Sequence, residues 1–66
     1  MQVILNGNAE AVPDQCTVAK LLQDLQIDSR YCAVEVNRLL VPREQHDSRQ
    51  LCEADEIEVV TLVGGG

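Results

Sequence analysis

The chain has 66 residues, hydrophobic content of 45%, only 4 Gly and 2 Pro, and Lys+Arg 5 against Asp+Glu 11 for a formal net charge of -6. This is the composition of one small folded domain, burying about 60% of the surface its unfolded form exposes, and it excludes a disordered or fibrous chain. The apolar runs at 3–5 and 39–41 are far shorter than the ~20 residues of a membrane helix, no leader segment precedes them, and no basic cluster invites nucleic acid or anionic membrane, so a cytoplasmic chain with neither partner is expected.

Met1-Gln2-Val3-Ile4-Leu5 is a short apolar run, and the Asn6-Gly7 that follows is the strongest two-residue hairpin signal. The return segment at 8–12 alternates weakly until Pro13 stops it, as suits an edge strand. Val18, Leu21, Leu22 and Leu25 then stand at i, i+3, i+4 and i+7, the apolar face of a helix. Thr17 is placed as its N-cap, Lys20, Gln23, Asp24 and Gln26 take the wet face, and a weakly marked stop is expected near Asp28-Ser29.

Cys32, Val34 and Val36 alternate with Ala33, Glu35 and Asn37, a period-two strand with one face buried. Asn37-Arg38 makes a turn into the run Leu39-Leu40-Val41, which Pro42 ends. Residues 43–50 have no periodic apolar face and read as a polar loop with room for one 3₁₀ turn, in which His46 is a surface side chain. After a turn at Glu53-Ala54-Asp55, residues 56–63 form the longest strand candidate, expected at the centre of the sheet.

On that strand Ile57, Val59 and Thr61 share one face, and Glu58, Val60 and Leu62 share the other. The second face thus turns apolar after Glu58, either because it is covered or because it is an exposed patch for a partner. A single helix covers only one face of so small a sheet, which favours the patch, with Val60 and Leu62 as partner surface. The acidic balance favours a partner with a basic face, although solubility alone accounts for it equally well.

The order strand, strand, helix, strand, strand, strand is that of an α+β domain, the ubiquitin-like β-grasp: a mixed sheet of four to five strands with one packed helix. Its first and last strands lie parallel at the centre. The three cysteines, Cys16, Cys32 and Cys52, have no C-x-x-C pair and only His46 as a possible imidazole ligand, so neither a zinc site nor a ferredoxin-type cluster is expected. Free thiols in a reducing compartment are the simpler reading.

The sequence ends Val63-Gly64-Gly65-Gly66, with three of its four glycines in that run. Residues without side chains pass a narrow channel and extend roughly 10 Å, so a globular part at 1–63 and a flexible Gly tail at 64–66 are expected, the tail delivering its carboxylate into another protein's active site. A linker or a frayed end gives the same composition.

The whole chain resembles the thiamine-biosynthesis sulfur carrier (ThiS) family in length and in its closing Gly-Gly. Val34-Glu35-Val36-Asn37-Arg38-Leu39-Leu40-Val41-Pro42-Arg43-Glu44 is similar to that family's strand, turn, short strand and Pro-Arg, Thr17-Val18 with Leu21-Leu22 to its helix start, and Asp55-Glu56-Ile57-Glu58 to the start of its last strand. Two departures stand out. Ala54 replaces the Gly usual before the Asp of the last turn, so a turn needing positive φ there would have to be built differently, and His46 stands where an aromatic is common.

The resemblance implies a carrier, not an enzyme. An adenylating enzyme of the ubiquitin-activating type would use ATP and Mg to convert the Gly66 carboxylate to an acyl adenylate. A persulfide from a cysteine desulfurase or other donor would then yield a thiocarboxylate for thiazole synthase to consume. Gly66 would be the modified residue and Gly64 and Gly65 would give access, with no catalytic residue, bound cofactor or metal required on this chain. The small subunit of molybdopterin synthase and a ubiquitin-like protein modifier are the alternatives, sharing the tail but differing in what it becomes.

Overall fold

The computed structural model describes residues 1–62; the boundary drawn at residue 63 and the tail Gly64, Gly65 and Gly66 lie outside the described residues. Strands β1 (Gln2–Leu5) and β2 (Asn8–Ala11) precede helix α1 (Val18–Asp24), followed by β3 (Cys32–Val36), β4 (Leu39–Leu40) and β5 (Glu56–Thr61). The five strands make one sheet in the order β2-β1-β5-β3-β4. β5 is central and runs parallel to β1 and antiparallel to β3. One helix on a mixed sheet with parallel first and last strands is the expected β-grasp.

Both tight hairpins use left-handed backbone at two consecutive residues, Asn6 (φ 48) with Gly7 (φ 84) and Asn37 (φ 54) with Arg38 (φ 70). Two positive φ values match the type I′ turn, whose twist suits the flanking strands. The second turn puts an arginine where glycine is usual, and Asn37 secures it. Its side chain donates to Asp55 Oδ1 at 3.0 Å and accepts from the Glu56 backbone N–H at 2.9 Å, linking this hairpin to the start of β5.

The buried face of the sheet carries Val3 and Leu5 from β1, Cys32, Val34 and Val36 from β3, and Ile57 and Val59 from β5; α1 covers it with Val18, Leu21 and Leu22. Each such side chain removed from water contributes roughly 1.5–3 kcal/mol, and together they hold the helix across the sheet. Thr17 caps α1 as expected, its hydroxyl accepting from the Lys20 N–H at 3.1 Å.

Two expectations about the helix region are corrected. The helix ends at Asp24 instead of near Asp28-Ser29, and Leu25 is 39% exposed, not part of the buried stripe. Gln26 adopts φ 60 and donates to Gln23 O, while Ile27 N donates to Leu22 O at 2.9 Å. These bonds form a Schellman closure, built without the glycine that would have advertised it. His46 is buried at 4% exposure and is not a surface side chain. The loop at 43–50 folds under α1 because the first helical N–H groups lack intrahelical acceptors, and Arg49 O and His46 O accept from Val18 and Ala19 at 3.0 and 2.9 Å. The imidazole follows its backbone inward, with Nε2 3.1 Å from Val41 O.

Ala54 corrects a third expectation. It adopts φ 69, so the turn keeps the left-handed geometry with alanine in place. Ala54 N donates to Gln2 O, and Asp55 accepts from Cys52 N at 2.7 Å, which holds the turn despite the crowding of a Cβ.

Candidate docking face and tail root

Strand β5 positions the candidate site because its alternation is buried on one side only. Ile57 and Val59 point into the core, whereas Glu56, Glu58 and Val60 are exposed on the outer face, continued beyond the strand by Leu62. Val60 is 57% and Leu62 61% exposed, so both predicted surface residues lie open.

Neighbouring strands extend this face. The β3–β5 register sets Ala33 opposite Val60 and Glu35 opposite Glu58, and the β3–β4 register sets Leu40 opposite Glu35. Direct cross-strand partners share a face, so Ala33, Leu40, Val60 and Leu62 form an apolar patch bordered by Glu35, Glu56 and Glu58. Leu40, 64% exposed, was missed as a surface residue from sequence because an apolar run between a turn and a proline looks like any short strand. Only the register assigns it to this face.

Glu35 and Glu58 stand directly opposite each other, an arrangement that costs stability in a sheet. A basic partner surface would relieve it. The patch therefore combines an apolar centre with an acidic border, the chemistry of a protein-docking surface for a partner with apolar contacts and Lys or Arg at the rim.

The direction in which β5 leaves the sheet is set by backbone and side-chain bonds. Asn6 extends the β1–β5 pairing with its side chain, accepting from Val59 N at 2.9 Å and donating to Val59 O at 3.3 Å. On the other side Leu62 N donates to Tyr31 O at 2.6 Å, one step past the last ladder pair Cys32 and Thr61. Tyr31 closes a 3₁₀ turn, Ser29–Tyr31, capped by Asp28. The Asp28 carboxylate accepts from Arg30 N at 2.9 Å and from Arg30 Nη2 at 2.7 Å, and the Arg30 guanidinium lies 5.3 Å from the Tyr31 ring centre. Hydrogen bonds from Arg30 hold the Asp28 carboxyl down at about 2.

The thiols show no sign of activation. Burial pushes Cys16 and Cys32 up from the ordinary thiol range, which disfavours the nucleophilic thiolate. Cys52 is exposed. Among the described residues no group of three or more His, Cys, Asp or Glu could hold a metal, and no helix is long and apolar enough to cross a membrane.

Residues 3–66 match the family model of the ThiS family. The chain is 36% identical over 63 residues to the sulfur carrier protein ThiS of Bacillus subtilis (strain 168), an alignment covering 94% of this chain and 96% of that protein. It is also 35% identical over 66 residues to a thiazole synthase of Paramagnetospirillum magneticum, covering 100% of this chain but spanning 20% of the synthase's length. A crystal structure of the thiamine biosynthesis protein ThiS from Geobacter metallireducens superposes with a TM-score of 0.85 at 29% identity, covering 100% of both chains.

Proposed function

The chain belongs to the ThiS family, and from that premise we propose that it is a sulfur carrier protein for the thiazole of thiamine, a co-substrate and not an enzyme. The observation that carries this reading is the family match, which runs through the glycine run to Gly66. The near-complete two-way coverage with a sulfur carrier of the same size supports it.

A carboxylate is a poor electrophile because its charge is delocalised and it has no good leaving group. An adenylating enzyme of the ubiquitin-activating type therefore acts first, using ATP and Mg to place AMP on the Gly66 carboxylate with release of pyrophosphate. Persulfide sulfur from a cysteine desulfurase or an equivalent donor displaces AMP, and a thiol cleaves the remaining S–S bond to leave a thiocarboxylate at Gly66. Thiazole synthase consumes that sulfur. The thiazole synthase relative that contains a segment like this chain supports the last partner. Gly64 and Gly65 admit the carboxylate to channels too narrow for a Cβ, and Val60 and Leu62 anchor the domain while it reacts.

The chain's own contribution is thus presentation. It binds through the outer face and holds the root of the tail, while the chemistry occurs in partner sites. Intact mass after incubation with adenylating enzyme, ATP, Mg and a persulfide donor tests the reading. Exchange of one oxygen for sulfur at Gly66 is expected. An isopeptide to lysine, or no modification at all, would overturn it.

A further inference from the structure

The root of the tail is tied to the sheet by one backbone bond outside the strand ladder, Leu62 N to Tyr31 O at 2.6 Å. The acceptor carbonyl is itself held by local structure. Tyr31 N donates to Asp28 O at 2.9 Å, Asp28 Oδ1 accepts from Arg30 N at 2.9 Å, and the same carboxylate grips the Arg30 guanidinium, which faces the Tyr31 ring. None of these side chains belongs to the buried core, since Asp28, Arg30 and Tyr31 are all exposed. A salt bridge this exposed contributes little to global stability, so its consequence is local.

We propose that Asp28 is a positioning residue for sulfur loading: through the Ser29–Tyr31 turn it keeps the Tyr31 carbonyl aimed at Leu62 N and so presets the direction in which the reacting segment leaves the domain. The inference rests on the carrier reading above. A segment entering a partner's channel loses the conformational freedom of every residue that must be ordered. With Leu62 ordered in advance, one residue's worth of that loss is already met before binding, and the effective concentration of the carboxylate at the partner's site is higher. Without the bond, Leu62 joins the residues to be ordered, which corresponds to roughly a fivefold to thirtyfold weaker engagement.

The experiment compares the full chain with Asp28→Ala, with Asp28→Asn, and with a semisynthetic chain whose Leu62 amide is replaced by an ester. The ester removes the N–H donor and keeps both side chains, so it remains informative if Asp28→Ala folds poorly. Leu62 amide exchange, melting temperature, and the KM and kcat for thiocarboxylate formation with the adenylating enzyme and a persulfide donor are measured. Asp28→Ala should speed Leu62 exchange and raise KM for the carrier by roughly fivefold to thirtyfold with kcat retained, the ester should show the same KM rise, and Asp28→Asn, which still caps Arg30 N, should recover most of it. Unchanged KM in the ester, or unchanged Leu62 exchange in Asp28→Ala, overturns this inference while leaving the carrier reading intact. Failure of the unaltered chain to form thiocarboxylate overturns both.

Discussion

Two residues show how side-chain chemistry and backbone geometry trade against each other. Ala54 holds φ 69, a region that costs an L-residue with a Cβ about 1–2 kcal/mol relative to ordinary backbone. Ala54→Gly should relieve that strain and lose part of the gain to the greater freedom of glycine in the unfolded chain, a net stabilisation of about 0.5–1 kcal/mol. A higher urea midpoint with an unchanged slope is the expected result; a lower midpoint would show that the turn carries no strain. Asp28 offers a test in acid. Its folded carboxyl is depressed from 3.8 to about 2 by hydrogen bonds from Arg30, so its contribution to stability, small for so exposed a pair, is fully present above about pH 4 and is lost as pH falls through about 2. The difference in melting temperature between the parent and Asp28→Asn should therefore shrink on acidification across that window. A difference that stays constant from neutral pH to pH 2 would dissociate the pair from stability.

At the scale of the element, β5 divides two kinds of work between alternate positions. Ile57 and Val59 fasten the strand to the core, leaving Val60 free of structural duty at 57% exposure. Val60→Asp should leave the melting temperature nearly unchanged while weakening complexes with the adenylating enzyme by about thirtyfold, the loss of a typical hot spot. Unfolding of this variant would mean the outer face is packed in solution. The Glu35 and Glu58 pair tests the acidic border from the opposite direction. Glu35→Lys converts a repelling cross-strand pair to an attracting one and should raise stability by about 0.2–1 kcal/mol. The same change should slow association with the partner, most clearly at low salt. Faster association would show that the partner's rim is not basic.

For the whole molecule, the arrangement separates stability from reactivity along the chain. Among the described residues every buried hydrophobic residue of the core lies between Val3 and Val59, while the proposed reaction takes place at Gly66. Deleting Gly66 should therefore abolish ATP–pyrophosphate exchange with the adenylating enzyme and leave thermal unfolding unaltered. Exchange that survives the deletion would place the reacting carboxylate elsewhere. Joining the beginning and end of the domain through the parallel β1–β5 pairing closes a loop of nearly the whole sequence, a non-local contact that favours cooperative folding over independent subunits of structure. Leu62, the last described residue, directly follows the strand on which the rest of the sheet depends.

Local signals in the sequence were sufficient for the strands, the helix start and the first hairpin, because period-two and helical spacing, Thr17 and Asn6-Gly7 each act within a few residues. The exposure of Val60 and Leu62 was also legible, since one helix leaves one sheet face uncovered. Three features were decided only when the chain closed on itself. His46 is buried because the first N–H groups of α1 need the carbonyls of its loop, the helix stops at Asp24 through bonds that Gln26 and Ile27 make without a glycine to signal them, and Leu40 joins the exposed outer face through register with Glu35. Each depends on a partner supplied by the surrounding fold, whether an acceptor, a cap or a neighbouring strand, and residue pattern alone does not specify which partner arrives.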